Sequence, residues 1–169
     1  DEIAIDTMDF TLISDEDVNY VFQSKQPMSL YTDKDLLGIF FVKNYERTAK
    51  QIYSVSTEDY IGLLDSVQFA GGIYTSHSAT ALLTAIFASA NVPVDISADI
   101  QGKTITGWIP VCTCREAVRQ ICFAIGAAVS TARTDTVRIF VPGSTPVKEF
   151  GLSDTMQGQT FNDRDVKLT

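Results

Sequence analysis

Between residues 27 and 59 apolar side chains tend to alternate with polar ones, and from residue 78 they recur at every third or fourth position. A chain whose hydrophobic period changes from two to about 3.6 needs strands in one part and helices in the other, since only those conformations gather its apolar set on one face. That switch predicts an α+β protein in which sheet comes first.

In the first part PMSLYTD (27–33), LLGIFFVKNYE (36–46) and QIYSVSTED (51–59) read as strands of a meander, parted by the turn-like DKD and the polar NYERTAKQ. STEDYIGLLDSV predicts a short helix ending near Val67, with Ser56 and Thr57 as N-caps, acids such as Asp59 in its first turn, and Tyr60, Leu63, Leu64 and Val67 on one face. The Gly71–Gly72 pair marks a backbone that must bend or take positive φ, and the domain boundary is placed there.

In the second part SHSATALLTAIFASANVP carries Ala79, Leu82, Leu83, Ile86 and Phe87 on one stripe, a helix from about Ser78 to Ala90 that Pro93 cannot continue. VPVDISADI and KTITGWIP are extended, a second helix follows, TARTDT turns and VRIFVP closes. The order α-β-β-α-β-β describes a two-layer module over residues 75–146 with helices covering one face of a small sheet. Residues 147–169 are polar and irregular, with at most one strand near Val166.

GWIPVCTCREAVRQICFAIGA (107–127) holds all three cysteines, and the question is whether they form a centre or a core. Thr113 followed by Glu116 matches a capping box, so the helix starts at Cys114. Cys114, Val118, Ile121, Cys122 and Ile125 then recur at helical spacing, which puts two thiols on the aliphatic stripe, where cysteine acts as a small hydrophobe. Gly126 takes the left-handed position that ends the helix. A zinc site would need a fourth ligand, and the single histidine, His77, stands in a Ser/Thr-rich turn away from a second ligand pair.

Other chemistry is equally thin. Asp59 with Asp65, or Asp95 with Asp99, are the carboxylate pairs to weigh for glycoside hydrolysis, but Asp59 is more simply a first-turn helix acid, and Asp95 and Asp99 fall at strand and turn positions where Asp is ordinary. His77 beside Ser76 and Ser78 makes no nucleophilic triad. Trp108, the sole tryptophan, reads as an anchor where strand meets helix. No catalytic, cofactor-binding or metal-ligating residue is assigned, no cofactor is expected, and the chain is not expected to be an enzyme.

Charge separates the two parts. Residues 1–74 carry 13 acids and 5 bases, residues 75–146 carry 4 and 5, and the whole chain has a net charge of −8. Without clustered Lys and Arg there is no nucleic-acid footprint. No run of about eighteen apolar residues could span a membrane. The opening DEIAIDTMDF shows no initiator Met and no signal pattern, and is read as an internal position of a longer protein.

Residues 36–74, with GIFFV (38–42), YSVSTED (53–59), IGLLD (61–65) and FAGGIY (69–74), resemble the hub proteins at the centre of bacteriophage tail baseplates, especially prophage forms from Gram-positive bacteria. The likeness continues through ATALLTAIFASANVP, GWIPVCTCREAVRQICFAIGA and DTVRIF, over roughly residues 7–142. It implies a small antiparallel β-barrel over residues 1–74, an α+β domain over residues 75–146, and an approach to a second barrel over residues 147–169. It also implies a virion-tail protein made in the host cytoplasm, whose partners are further hub subunits in a homotrimer, a tail-tube protein and a spike protein. Residues 92–140 resemble, alternatively, the short β-α-β-β periplasmic domain of secretins and TonB-linked receptors. A cell-wall hydrolase attached to a tail is the third reading.

Overall fold

The computed structural model describes residues 2–15 and 19–143; the expected polar segment at 147–169, with its strand near Val166, lies outside the described residues. Strands β1 (Thr7–Ile13), β2 (Pro27–Thr32), β3 (Asp35–Ala49) and β4 (Ile52–Glu58) form one antiparallel sheet in the order β1-β4-β3-β2. The sheet curls into a half-barrel. Its end strands β1 and β2 do not pair with each other, so the barrel implied by the resemblance is present as an open half.

Alternation decides the faces. Met8, Phe10 and Leu12 of β1 stand opposite Thr57, Val55 and Tyr53 of β4, and the outward positions between them are exposed. Tyr20 and Phe22 lie on Tyr53, with ring centroids 5.7 and 6.5 Å away, and so cover that face. NYERTAKQ is no break: β3 runs through it to Ala49, and its last seven residues are exposed strand held by pairing with β4. The hydrophobic pattern stops there because that end of the ribbon projects past the core.

Helix α1 (Tyr60–Asp65) starts later than the sequence suggests. Ser56 and Thr57 belong to β4, where their hydroxyls donate to Asp9 Oδ1 (2.6 Å) and the Met8 carbonyl (2.7 Å). The cap is Asp59, whose Oδ1 accepts from the Ile61 and Gly62 N–H groups at 3.0 and 3.3 Å. It therefore precedes the first turn and is not within it. The ladder with β1 and β3 persists to Glu58, and paired strand backbone outcompetes the earlier caps. Tyr60 of α1 meets Phe41 of β3 at 4.9 Å between ring centroids.

Five short strands and two helices follow: β5 (Gln68–Phe69), β6 (Gly72–Ser78), α2 (Ala79–Ser89), β7 (Val94–Ile96), β8 (Thr104–Ile109), β9 (Cys112–Thr113) and α3 (Cys114–Ile125). The hairpin of β10 (Ala128–Ser130) and β11 (Val137–Phe140) closes the fold. The expected α-β-β-α-β-β order is there with one two-residue strand more, β9 before α3, but its strands form separate pieces: a three-stranded sheet β10-β11-β7, in which β11 runs parallel to β7, and the pairs β6–β8 and β5–β9. Gly71 makes the β5–β6 link possible. It sits at φ +72°, and a Cβ there would fall 2.7 Å from the Ile109 carbonyl oxygen.

Both helices bury the stripes read from the sequence. On α2 these are Ala79, Leu82, Leu83, Ile86 and Phe87; on α3 they are Cys114, Ala117, Val118, Ile121, Cys122 and Ile125. Thr113 Oγ1 accepts from the Glu116 N–H at 3.2 Å, and Gly126 closes α3 at φ +66° with Ala127 N–H donating to the Cys122 carbonyl at 2.8 Å. The capping box is only half made, because the Glu116 carboxylate accepts from Arg119 and Gln120 instead. Those bonds, Arg119 first, hold Glu116 at a pKa of about 2. One buried cluster runs from Tyr60, Ile61, Leu63 and Leu64 through both later helices to Val137 and Ile139.

Within that cluster Cys114 and Cys122 are free thiols, and Cys114 Sγ lies 3.6 Å from Ser89 Oγ. Burial pushes the Cys122 thiol up to about 12, and also raises Cys112, with smaller contributions from Glu116 and Cys114. Because the thiolate is the nucleophile, iodoacetamide at about pH 8 is expected to leave Cys122 unmodified in the native protein and to alkylate it in urea. Intact-mass analysis reads this, and rapid stoichiometric labelling of native Cys122 would show that its thiol is open to solvent and not part of the core.

Candidate protein–protein interface

The β6–β8 pair places Ile73 directly opposite Trp108 and Tyr74 opposite Gly107. Along β8 the buried positions are Ile105 and Ile109, with Gly107 between them, so Trp108 takes the outward side. It is 70% exposed, Ile73 is 84% exposed and Val111 just beyond the strand is 72% exposed. Trp108, expected as an anchor where strand meets helix, thus points away from the core. The alternation I-x-G-x-I assigns it outward, and its Ile109–Pro110 neighbours are no guide to its face.

This surface is also without charge. From Ser66 to Val94, and again from Thr104 to Cys114, there is no Asp, Glu, Lys or Arg. Among the described residues β6 pairs only with β8 and β8 only with β6, which leaves an edge on each strand open. Proteins usually protect open edges with charges or proline, and large apolar side chains grouped on a neutral face are the features of a surface that another protein covers. A tryptophan flanked by aliphatic residues is the kind of anchor that carries binding energy.

The half-barrel offers two further edges, β1 and β2, in a different electrostatic setting. Asp6, Asp9 and Asp15 lie along or beside β1, and the part of the chain forming the half-barrel holds most of the net negative charge. The molecule thus presents an acidic edge at β1 and, elsewhere, an uncharged β6–β8 ribbon that exposes Ile73 and Trp108.

The weighed chemical candidates are scattered. His77 lies in β6 and not in a plain turn, beside a bulge where Ser76 takes φ +48°, with its ring 5.4 Å from Tyr74. Ser78 caps α2, donating nothing to His77 but accepting from the Ala81 N–H at 3.3 Å. Asp59 and Asp65 stand at opposite ends of α1, about 9 Å apart along its axis. Asp65 accepts from Thr113 Oγ1 at 3.1 Å and lies 3.5 Å from Arg115, whereas Asp59 is buried against Thr131. Asp95 is an exposed strand residue and Asp99 an exposed residue of the short 3-10 turn at Ala98–Ile100. No helix among the described residues is long and apolar enough to cross a membrane.

Solved structures share this arrangement at low sequence identity. The 43 kDa tail protein of prophage MuSo2 from Shewanella oneidensis superposes with a TM-score of 0.58 at 12% identity, over 85% of this chain and 48% of that one. The fold is that of a prophage tail protein. A tail protein from Neisseria meningitidis gives 0.58 at 14% identity, over 80% of this chain and 41% of its own. The prophage tail protein gp18 of Listeria monocytogenes gives 0.55 at 14%, over 79% and 40%. The tail-protein fold extends to the E. coli c3393 protein, a type VI secretion component similar to the T4 bacteriophage tail proteins gp27 and gp5, at 0.53 and 10% identity, over 80% and 42%. The chain spans less than half the length of each of these proteins. No family model matches the sequence, and no curated protein matches it.

Proposed function

We propose that the chain is a structural part of a phage or prophage tail baseplate hub, linking tail tube to spike through protein–protein interfaces and catalysing no reaction. The observation that carries this reading is the uncharged Ile73–Trp108–Val111 surface with open strand edges on a tail-protein fold. An assembly joint needs rigid sheets, edges that neighbours can extend and large apolar contacts; it needs no perturbed acid or base in a cleft. The partners in this reading are further copies of the hub chain in a homotrimer, a tail-tube protein and a spike protein. The acidity of residues 1–74 suits a surface that DNA passes without adhering, since phosphate is repelled by carboxylate.

Taking residues 92–140 as a separate short periplasmic domain fits less well. That segment shares its buried cluster with α1, which such a domain would not contain.

The test uses the full natural chain in solution. We expect a trimer by native mass, co-sedimentation with its tail-tube protein, and a reduction of about tenfold or more in assembly with Trp108→Asp, whose exposed position spares the core. A monomer that ignores tube and spike proteins, or reducing sugar released from purified cell wall, would refute the reading.

A further inference from the structure

A second surface lies elsewhere, where the edge of β10 borders a groove of about 530 Å³. One wall is the chain from Ala127 to Ala132, the floor includes Ile61 and Cys122, and the other side is the opening segment with Glu2 and Asp6. β10 is the end strand of its sheet, so among the described residues its outer edge has no strand beside it. Ala128, Val129 and Ser130 are half-buried, and no bulky side chain of their own blocks that edge. Phe123 on the rim is 83% exposed, an aromatic ring off the buried stripe of α3 and without a core role.

The groove is lined by two carboxylates, Glu2 and Asp6, and one cation, Arg119. Arg119 is held by Glu116, and Glu2 pairs with Arg115. Asp6 lines the groove, is exposed and makes no ion pair among the described residues, while Asp59 is buried within electrostatic reach of it. An incoming cation would therefore meet a carboxylate with no competing partner.

We propose that this groove takes an extended, basic segment of a partner protein, which adds as a strand to the β10 edge, sets an apolar side chain against Phe123 and brings a Lys or Arg to Asp6. β10 is three residues long, about 10 Å of edge, enough for about three residues of an added strand. Main-chain hydrogen bonds would supply affinity and alternate side chains selectivity, as in strand addition generally. The inference stands apart from the tail reading and uses none of the β6–β8 residues.

The test is fluorescence anisotropy with the end-blocked hexapeptide Val-Lys-Val-Lys-Val-Lys, its Val-Glu counterpart, and a Lys form N-methylated at alternate amides. Saturable binding of the first is expected, about tenfold or more weaker for the Glu peptide and lost on N-methylation. Asp6→Asn should shrink the Lys–Glu difference and Phe123→Ala should weaken both, each change being at an exposed position. Amide shifts at Ala128–Thr131 would accompany binding. Equal affinity for both peptides, indifference to N-methylation, absence of saturable binding, or self-association abolished by Phe123→Ala would each overturn the proposal.

Discussion

Leu64→Ala is expected to destabilise the protein by about 2–5 kcal/mol and to lower the unfolding midpoint of both its parts together. Leu64 is fully buried on α1, a helix that follows the half-barrel directly yet belongs to the cluster shared with α2, α3 and β11. Truncation leaves a cavity at a junction, and the surrounding helices cannot collapse into it without drawing α1 off β3 and β4. Further ties cross the same junction. Tyr60 donates to the Asp135 carbonyl at 3.0 Å, and the Arg133 N–H donates to the Leu37 carbonyl at 3.0 Å. Urea unfolding followed by far-ultraviolet circular dichroism and by intrinsic fluorescence should give coincident midpoints in wild type and variant. Two separated transitions, with only one shifted, would mean that residues 1–74 and 75–146 are energetically independent bodies. Coincidence would make that proposed division one of topology and surface charge.

How much the sequence disclosed depended on whether a signal was local. Helices α2 and α3 were legible almost to the residue, since cap, stripe and terminator lie within one window: Ser78 with Ala90, and Thr113 with Gly126. The α+β class followed from the change of period. Strand β1 went unread although MDFTL alternates, because its apolar set is half-buried and its partner β4 lies more than forty residues away. The start of α1 was misjudged for a related reason: three acceptable caps stand in STED, and long-range pairing of β4 selects among them. Trp108 is a different case. The alternation of Ile105, Gly107 and Ile109 already puts it on the outward side, and the strand register adds only that Ile73 shares that face. The charge-free run from Ser66 to Val94 was visible throughout and points to the ribbon once its strands are known to pair. Phe123 was likewise marked by falling off the buried stripe of α3.

Asp59→Ala is expected to cost about 2–3 kcal/mol, and Asp59→Asn far less, with a pH dependence that reveals why a carboxylate is there. Asp59 is 2% exposed, caps α1 through two backbone N–H groups, and accepts from Thr131 Oγ1 at 2.9 Å, so one side chain ties α1 to the residue after β10. Alanine removes the cap and strands the Thr131 hydroxyl; asparagine keeps an acceptor for the cap and can donate to that hydroxyl. Burial raises the Asp59 pKa above its ordinary 3.8, against the lowering by Thr131 and the Gly62 N–H. A raised folded-state value means the native protein keeps this proton to higher pH than the unfolded chain does. The stabilisation linked to that proton is complete below about 3.8 and is lost as pH rises through the folded value. Glu116 behaves oppositely: its value of about 2 lies below the ordinary 4.5, so its contribution is present above 4.5 and lost on acidification. Comparing wild type with Asp59→Asn at each pH cancels the Glu116 contribution, and the variant should gain on wild type as pH rises from about 3.5 to 7. Urea titrations at several pH values measure this difference directly. A gap between the two proteins that stays constant with pH, or widens in favour of wild type on going to neutrality, would show that the buried carboxylate ionises as easily in the fold as in water.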